Sequence, residues 1–169
     1  MTTFPTAKNA DTPAPAGPRI SKKKPKLSNF LCFAIYSANL AFGRAYKPIL
    51  DELGLTYTQY IALVALSERD DQTVGELGEK LFLESNTLTP ILKKLEQIGL
   101  ISRRRDPQDE RQVRVSLTPK GEGLIDADPG ASLTDATGLG DDFDAVQQTV
   151  ARLRDNLLRA TRDEREKPE

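Results

Sequence analysis

The spacing of apolar residues changes at Gly99, and this change limits the folds open to the chain. Before Gly99, apolar residues recur every three to four positions in VGELGEKLF and NTLTPILKKLEQI, which predicts two short helices joined by a tight connection at 81–84. After Gly99, apolar and polar residues alternate in QVRVSL, which predicts a strand of a hairpin whose partner opens at Leu100. Two short helices followed by a hairpin predict a helix-turn-helix with a β wing.

Residues that start or stop helices divide the rest of the chain. A long amphipathic helix is expected at about 27–53, with a kink or a new turn at Pro48 and a stop at Gly54. A break containing proline and glycine is expected at 128–140, followed by a last helix in DDFDAVQQTVARLRDNLLRAT. The remaining helices each follow a side chain suited to N-capping: Thr56, Thr73 in a capping box with Glu76, Ser85, and Thr118 before Pro119.

The predicted fold is therefore mainly α with a small β-hairpin wing, a winged helix-turn-helix with dimerisation helices at both ends. Residues 1–26, which hold five prolines and the basic cluster SKKKPK, are expected to be a disordered tail. Residues 27–169 are expected to form one domain, with a winged lobe at about 56–120 and dimerisation helices at about 27–53 and 119–162. The first and last helices carry apolar stripes that a single chain would leave exposed, which predicts a homodimer.

Composition excludes several kinds of site. The chain has no histidine and one cysteine, so histidine-dependent catalysis, a histidine- or thiolate-bound metal and an intrachain disulfide are excluded. We therefore expect no metal, no cofactor and no enzymatic activity. KKKPK followed by LSNFLCFAIYSANLAF is similar to a secretory signal, but polar residues interrupt the apolar run, which is also too polar for a membrane span. The expected location is the cytoplasm, without membrane contact.

Charge is segregated along the chain, although the net charge is −1. Residues 80–120 carry nine basic and five acidic side chains, whereas residues 51–79 and 121–169 each have a net charge of −6. A basic segment between acidic ones is typical of a DNA-binding surface on an acidic protein. Without a supporting motif, a scattered solvated surface would explain the same charges.

The second helix of the pair has the residue types of a recognition helix. Small polar side chains in its first turns are able to reach base edges or phosphates, and two lysines further along would meet phosphates. A capped surface helix with ordinary polar residues fits this pattern almost as well. The residues assigned to DNA in this helix are Ser85, Asn86, Thr87, Thr89, Pro90, Lys93 and Lys94.

The hairpin favours DNA binding because it holds five arginines in the twelve residues 103–114. An arginine-bearing tip, expected at 106–111, suits insertion into a minor groove, where the negative potential is strongest. Asp109 is expected to brace a neighbouring arginine, since a carboxylate facing phosphate would repel it. The wing residues assigned to this surface are Arg103, Arg105, Asp109 and Arg111.

Cys32, the single cysteine, lies in the first predicted helix, with Tyr36 one helical turn away on the same face. Taken alone, a cysteine between Leu31 and Phe33 is best explained as an inert core residue. Phenolic hydroxyls, however, donate hydrogen bonds that stabilise a thiolate without a histidine. From the residues alone, the core and the reactive-thiol interpretations both remain open.

A family resemblance covers residues 27–125. GELGEKLFLESNTLTPILKKLEQIGLISRRRDPQDERQVRVSLTPKG resembles the MarR family of dimeric winged-helix regulators, most specifically in Asp109-Glu110-Arg111 and SLTPKG. The upstream stretch LCFAIYSANLAFGRAYKPILDELGLTYTQYIALVAL is similar to the organic-hydroperoxide-sensing branch of that family, OhrR. The resemblance implies a homodimeric repressor that binds a pseudo-palindromic operator in double-stranded DNA and takes organic hydroperoxides as its signal.

The same resemblance implies a role for the tyrosines. In this branch tyrosines, some from the partner subunit, hydrogen-bond the thiolate; the matching positions for Cys32 are Tyr36, Tyr46 and Tyr57, with core packing as the alternative for Tyr57. Tyr60 is assigned to packing. Oxidation gives a sulfenic acid, and because residues 121–169 hold no second cysteine, a small cellular thiol would cap it or it would overoxidise.

Two alternatives to this redox repressor stay open. One is a MarR-type regulator controlled by a small phenolic or lipophilic ligand, with a structural cysteine. The other is a thiol peroxidase, which fits poorly because the chain has neither a second thiol nor a histidine to support turnover.

Overall fold

The computed structural model describes Lys24 and residues 26–165. Its elements are α1 Leu31–Glu52, α2 Tyr57–Glu68, β1 Gln72–Thr73, α3 Val74–Leu81, α4 Ser85–Gln97, β2 Ile101–Arg105, β3 Val113–Leu117, α5 Pro119–Asp126, α6 Ala131–Ala136 and α7 Phe143–Arg165. The predicted architecture, mainly α with a hairpin wing, is confirmed. The tail predicted at residues 1–26 lies outside the described residues, apart from the exposed Lys24 and Lys26.

The chain divides into two units, one ending at Ser37 and the other beginning at Ala38. The first unit contains a turn of 3-10 helix at Leu27–Asn29 and the opening turns of α1. None of its described residues is buried, and only Ile35 is half-buried. The apolar side chains of these opening turns therefore have no core within their own unit.

The core of the second unit lies where α2, α3, α4 and β3 meet. Burying one leucine side chain contributes about 1.5–3 kcal/mol, so this cluster supplies much of the stability of the lobe. On α4 the buried positions fall on one face, which fixes the rotation of the helix and turns its polar face outward. The fully buried side chains are Leu63, Leu66, Leu77, Leu88, Leu92, Leu95 and Val115.

Three of the four predicted N-caps are confirmed. Thr56 forms a capping box with Gln59, Thr73 forms one with Glu76, and the Thr118 hydroxyl accepts a bond of 3.2 Å from the N–H of Gly121. The cap predicted at Ser85 is wrong, because Glu84 occupies the N-cap position without a side-chain hydrogen bond. Ser85 is instead the first residue of α4, where its hydroxyl is not needed for capping.

The wing contains a strand that the sequence does not predict. In the sheet order β1-β3-β2, β1 pairs with β3 through Gln72–Val115 and Thr73–Arg114, while the predicted hairpin pairs β2 with β3. Two residues are too few to show an alternating pattern. The short strand joins the α2–α3 connection to the base of the wing.

The regions before and after the winged lobe also compare with the prediction. The break predicted at 128–140 contains the six-residue α6, which is too short to show helical periodicity. Pro48 lies inside α1, within the predicted helix, and Gly54 stops the helix with a φ of +66° as expected. Among the residues that the structure describes, no helix has the length and apolar character needed to cross a membrane.

The end of α4 and the start of α5 are joined by several contacts. The Thr118 hydroxyl donates to the Gly99 carbonyl at 2.7 Å, and the Lys120 ammonium donates to the Ile98 carbonyl at 2.8 Å. The backbone of Gly121 packs directly against the Leu100 carbonyl, where a Cβ atom would overlap it. The α4–α5 joint, meaning residues 98–100 and 118–121, is therefore tightly packed.

Replacing Gly121 by alanine is expected to destabilise the lobe by about 1–3 kcal/mol or more, because the added methyl group has to displace backbone rather than a flexible side chain. Denaturant unfolding measures this loss. Gly123→Ala, two residues later in the same helix, is the matched control: open space surrounds its Cβ position, and we expect a gain of about 0.5–1 kcal/mol. Equal stability of the two variants would contradict the packing of the α4–α5 joint.

Candidate DNA-binding surface and thiol site

The turn between α3 and α4 is set by a left-handed residue and a close backbone approach. Phe82 ends α3 with a φ of +57°, and the N–H of Leu83 donates to the Gly78 carbonyl at 2.9 Å. A Cβ on Gly78 would lie 2.8 Å from the Leu83 carbonyl oxygen, so this turn requires glycine. The two helices thereby form the predicted helix-turn-helix.

The outward face of α4 holds most of the residues assigned to DNA. Thr89 is half-buried and its hydroxyl donates to the Ser85 carbonyl at 2.6 Å, so its proton is used within the helix. Pro90 lies in the second turn of α4. Because proline has no backbone N–H, the Asn86 carbonyl one turn earlier receives no helical hydrogen bond from it. The exposed members of the assigned set are Ser85, Asn86, Thr87, Pro90, Lys93 and Lys94.

The wing arginines differ in what they contact. The Arg103 guanidinium donates to Glu96 of α4 at 2.6 and 2.9 Å, and its side chain is only 21% exposed. This ion pair fastens β2 to the recognition helix. It argues against the DNA contact predicted for Arg103, because the guanidinium already has a carboxylate partner.

The brace predicted for Asp109 is corrected by the structure. Its carboxylate accepts from the main-chain N–H of Arg111 at 3.1 Å and from the side chain of Gln112 at 3.0 Å. Asp109 therefore holds the backbone of the wing tip and not an arginine side chain. Asp109 thus shapes the loop that carries Arg111.

Two wing arginines have exposed side chains without a carboxylate partner among the described residues. Arg105 is exposed, and its guanidinium contacts only the Glu110 carbonyl, at 2.7 Å, in the described part of the chain. Arg111 is exposed at the tip, and its side chain has no hydrogen bond or ion pair to any residue that the structure describes. Together with the exposed Lys93 and Lys94 of α4, these arginines are the cations that stay available for DNA, and their contact with it remains a prediction.

Cys32 is exposed and lies in the first turn of α1, with Tyr36 four residues later. The Tyr36 side chain is 59% exposed, and its ring centroid is 6.4 Å from that of Phe33. The first unit thus presents a thiol, a phenol and apolar rings on accessible surface. The interpretation of Cys32 as a core residue of its own chain is not supported by this placement.

Tyr46 and Tyr57 are brought together in the second unit. Their ring centroids are 5.1 Å apart, and Tyr46 also lies 5.9 Å from the buried Tyr60, which packs in the core as expected. Burial, followed by the neighbouring tyrosines and Asp128, raises the pKa of Tyr46 above its ordinary value. Like any phenol at neutral pH, the Tyr46 hydroxyl is protonated and is able to donate a hydrogen bond.

The sequence does not reveal the carboxylates that hold the wing. Glu96, Asp71 and Asp106 each bind a wing arginine, although two of them lie inside the basic segment 80–120. For Glu96 and Asp106 the only signal in the sequence is their presence among so many cations, and for Asp71 there is none. Their partners depend on how α4 and the α2–β1 connection pack against the wing, which the sequence pattern does not show.

A helix-turn-helix with an outward polar face on its second helix, beside a wing with arginines at its tip, defines a winged-helix DNA-binding protein. Comparison with known proteins supports the same class, because the matching proteins are transcriptional regulators. The family described as transcriptional regulator SarA/Rot matches residues 44–127. The organic hydroperoxide resistance transcriptional regulator of Bacillus subtilis (strain 168) is 43% identical over 136 residues, covering 78% of this chain and 92% of that protein.

Solved structures of AbfR, a protein of Staphylococcus epidermidis, have the same fold. Reduced AbfR bound to DNA matches with a TM-score of 0.67 and 35% identity, over 78% of this chain and 94% of that one. Overoxidized AbfR bound to DNA matches with a TM-score of 0.65 and 36% identity, over the same shares. The chain belongs to the MarR family of winged-helix transcriptional regulators, in its organic-hydroperoxide-sensing branch.

Proposed function

We propose that this protein is a homodimeric transcriptional repressor that leaves its operator when an organic hydroperoxide oxidises Cys32. The observation that carries this proposal is an accessible thiol, one helical turn from a phenol, in a chain that also holds a winged DNA-binding lobe. The 43% identity to an organic hydroperoxide resistance regulator supports the same signal. Such a regulator acts in the cytoplasm and is a sensor rather than an enzyme.

The dimer is supported by apolar side chains that the single chain leaves open. In α7 these are Val146, Val150, Leu157 and Leu158, between 40% and 58% exposed. In the first unit Leu31 is 62% exposed. Surfaces of this kind mark protein interfaces, so we assign α1 and α7 to dimerisation. In a two-fold dimer the recognition helices are expected to lie about 34–36 Å apart on a pseudo-palindromic operator.

The sensing chemistry requires one peroxide and one small thiol. The Cys32 thiolate attacks an oxygen of the hydroperoxide, the O–O bond breaks, and the alkoxide takes a proton and leaves as the alcohol. Sulfur is oxidised by two electrons to the sulfenic acid, and the peroxide bond is reduced. A small cellular thiol then attacks the sulfenic sulfur, which gives a mixed disulfide and releases water.

Tyr36, Tyr46 and Tyr57 are proposed to donate hydrogen bonds to the thiolate, partly across the dimer. Tyr46 and Tyr57 already lie together, with ring centroids 5.1 Å apart, so two phenols are available at one place on the second unit. Apolar neighbours of Cys32 such as Leu31 and Phe33 favour hydroperoxides with organic tails over small polar oxidants. A phenol donor stabilises the thiolate without adding a charge to the interface.

The mixed disulfide is the form that we expect to release the operator. Overoxidized AbfR was crystallised bound to DNA, so overoxidation does not prevent DNA binding in that relative. A thiol adduct is far larger than two oxygen atoms and would separate the dimerisation helices more. We therefore propose that capping, rather than overoxidation, inactivates this protein as a repressor.

The test uses the full chain and an operator selected from randomised duplex DNA. Operator binding is measured before and after addition of an organic hydroperoxide, with and without a small thiol, while mass spectrometry follows Cys32. We expect release to track the mixed disulfide. Release without any modification of Cys32 would contradict the proposal.

A second candidate function rests on a groove in the second unit. The groove has a volume of about 330 Å³, and its lining includes Leu40, Phe42 and Tyr57. Arg44 and Lys47 also line it and could bind an anionic group of a ligand. A small phenolic or lipophilic ligand fits this mixture of rings and cations. In that case the ligand alone would release DNA, and Cys32 would be dispensable.

A further inference from the structure

Two arginines face each other across the wing hairpin. Arg104 of β2 is paired with Arg114 of β3 in the strand register, so their side chains lie on the same face of the sheet. Like charges directly opposite each other destabilise a strand pair. The hairpin therefore needs an anion between them.

Asp71, in the connection between α2 and β1, supplies that anion. Its carboxylate lies 2.9 Å from the Arg104 guanidinium and 3.0 Å from Nε of Arg114. The Asp71 carbonyl also accepts a hydrogen bond from Arg114. Asp71 has a φ of +52°, and β1, which follows it, pairs with β3, so the backbone holds the carboxylate over both arginines.

The two arginines depend on Asp71 to different degrees. Arg114 has a second carboxylate partner, since its Nη1 donates to Asp106 at 3.0 Å. Arg104 has no other carboxylate partner among the residues that the structure describes, and its side chain is 56% exposed. Loss of the Asp71 charge would therefore leave Arg114 in place and make Arg104 available to an external anion.

We propose that Asp71 is a positioning residue that withholds Arg104 from DNA phosphates and so limits the sequence-independent affinity of the wing. This inference rests on the proposed function, because it assumes that the wing lies against DNA. Phosphate contact from the wing then falls to Arg105 and Arg111 at the tip. The sequence-independent affinity of the wing for DNA is therefore lower than it would be if Arg104 were also available to phosphates.

The test is the salt dependence of binding to a mixed-sequence duplex without an operator. In Asp71→Asn the freed guanidinium adds one phosphate contact, so the slope of log affinity against log salt should steepen by about 0.9, and affinity near 0.1 M salt should rise up to about tenfold. Asparagine tolerates the left-handed backbone at this position, so the fold is expected to persist. Glu122→Gln, which removes an exposed carboxylate on α5, is the charge-matched control and should leave the slope unchanged.

A second substitution identifies the cation. Arg104→Gln alone should bind with the slope of the unaltered protein, and Arg104→Gln added to Asp71→Asn should restore that slope. The proposal is overturned if Asp71→Asn leaves the slope unchanged, if the double variant keeps the steeper slope, or if Arg104→Gln alone flattens it. The proposed function fails separately, if the unaltered protein shows no operator preference or keeps its operator after Cys32 is oxidised.

Discussion

Cys32→Ser is expected to bind its operator as well as the unaltered protein and to remain bound when an organic hydroperoxide and a small thiol are added. The side chain is exposed in α1, so the exchange of sulfur for oxygen should change affinity by no more than about twofold. A hydroxyl does not attack the peroxide bond, so neither the sulfenic acid nor the mixed disulfide forms. Fluorescence anisotropy of a labelled operator measures both binding and release.

A relocated thiol is the matched control for this substitution. In Cys32→Ser combined with Ser28→Cys, the chain keeps one exposed thiol in its first unit but moves it away from Tyr36. We expect this double variant to stay on the operator as well, because release depends on where the adduct forms. If Cys32→Ser alone still left DNA on oxidation, the small-ligand regulator would become the better explanation.

Arg111→Ala is expected to weaken operator binding by about 1–3 kcal/mol and to flatten its salt dependence by about one unit of slope. The reason is that Arg111 stands at the wing tip on a loop shaped by Asp109, with its side chain exposed. A guanidinium in a minor groove meets the strongest negative potential of the duplex. Binding isotherms at several salt concentrations give both quantities.

Arg104→Gln is the comparison for Arg111→Ala, because it removes a wing cation that is held by Asp71. Oxidation of Cys32 should proceed at the same rate in both variants, since the wing takes no part in the thiol chemistry. An unchanged salt slope in Arg111→Ala would mean that Arg111 does not contact DNA. The tip would then lie away from the duplex.

Local chemistry made most of the fold predictable. Thr73 with Glu76, Thr118 before Pro119, and the left-handed glycines 54 and 99 mark helix ends by interactions within a few residues. The failures share a physical cause. β1 and α6 are too short for periodicity to appear, and Ser85 shows that a capping residue type does not fix a cap when Glu84 has the extended backbone that the position needs.

The spacing of apolar residues was enough to predict the recognition helix. The grouping of Cys32 with Tyr36, Tyr46 and Tyr57 follows from the family resemblance alone and stays a prediction. The wing network was not predictable, because Asp71 is 33 residues from Arg104 and 43 from Arg114 along the chain. A count of arginines alone therefore overstates the number of guanidinium groups without a carboxylate partner, as the Arg103–Glu96 pair also illustrates.

The α4–α5 joint has a mechanical consequence. Thr118 and Lys120 are hydrogen-bonded to the end of α4, and Gly121 packs on Leu100. We therefore expect α4 and the first turn of α5 to move together, so that a displacement of α5 also displaces the recognition helix. The stretch after α5, which leads to α7, has no such bonds to α4 among the described residues, and Asp128, Gly138 and Gly140 within it all have positive φ, so the chain changes direction there before α7 begins.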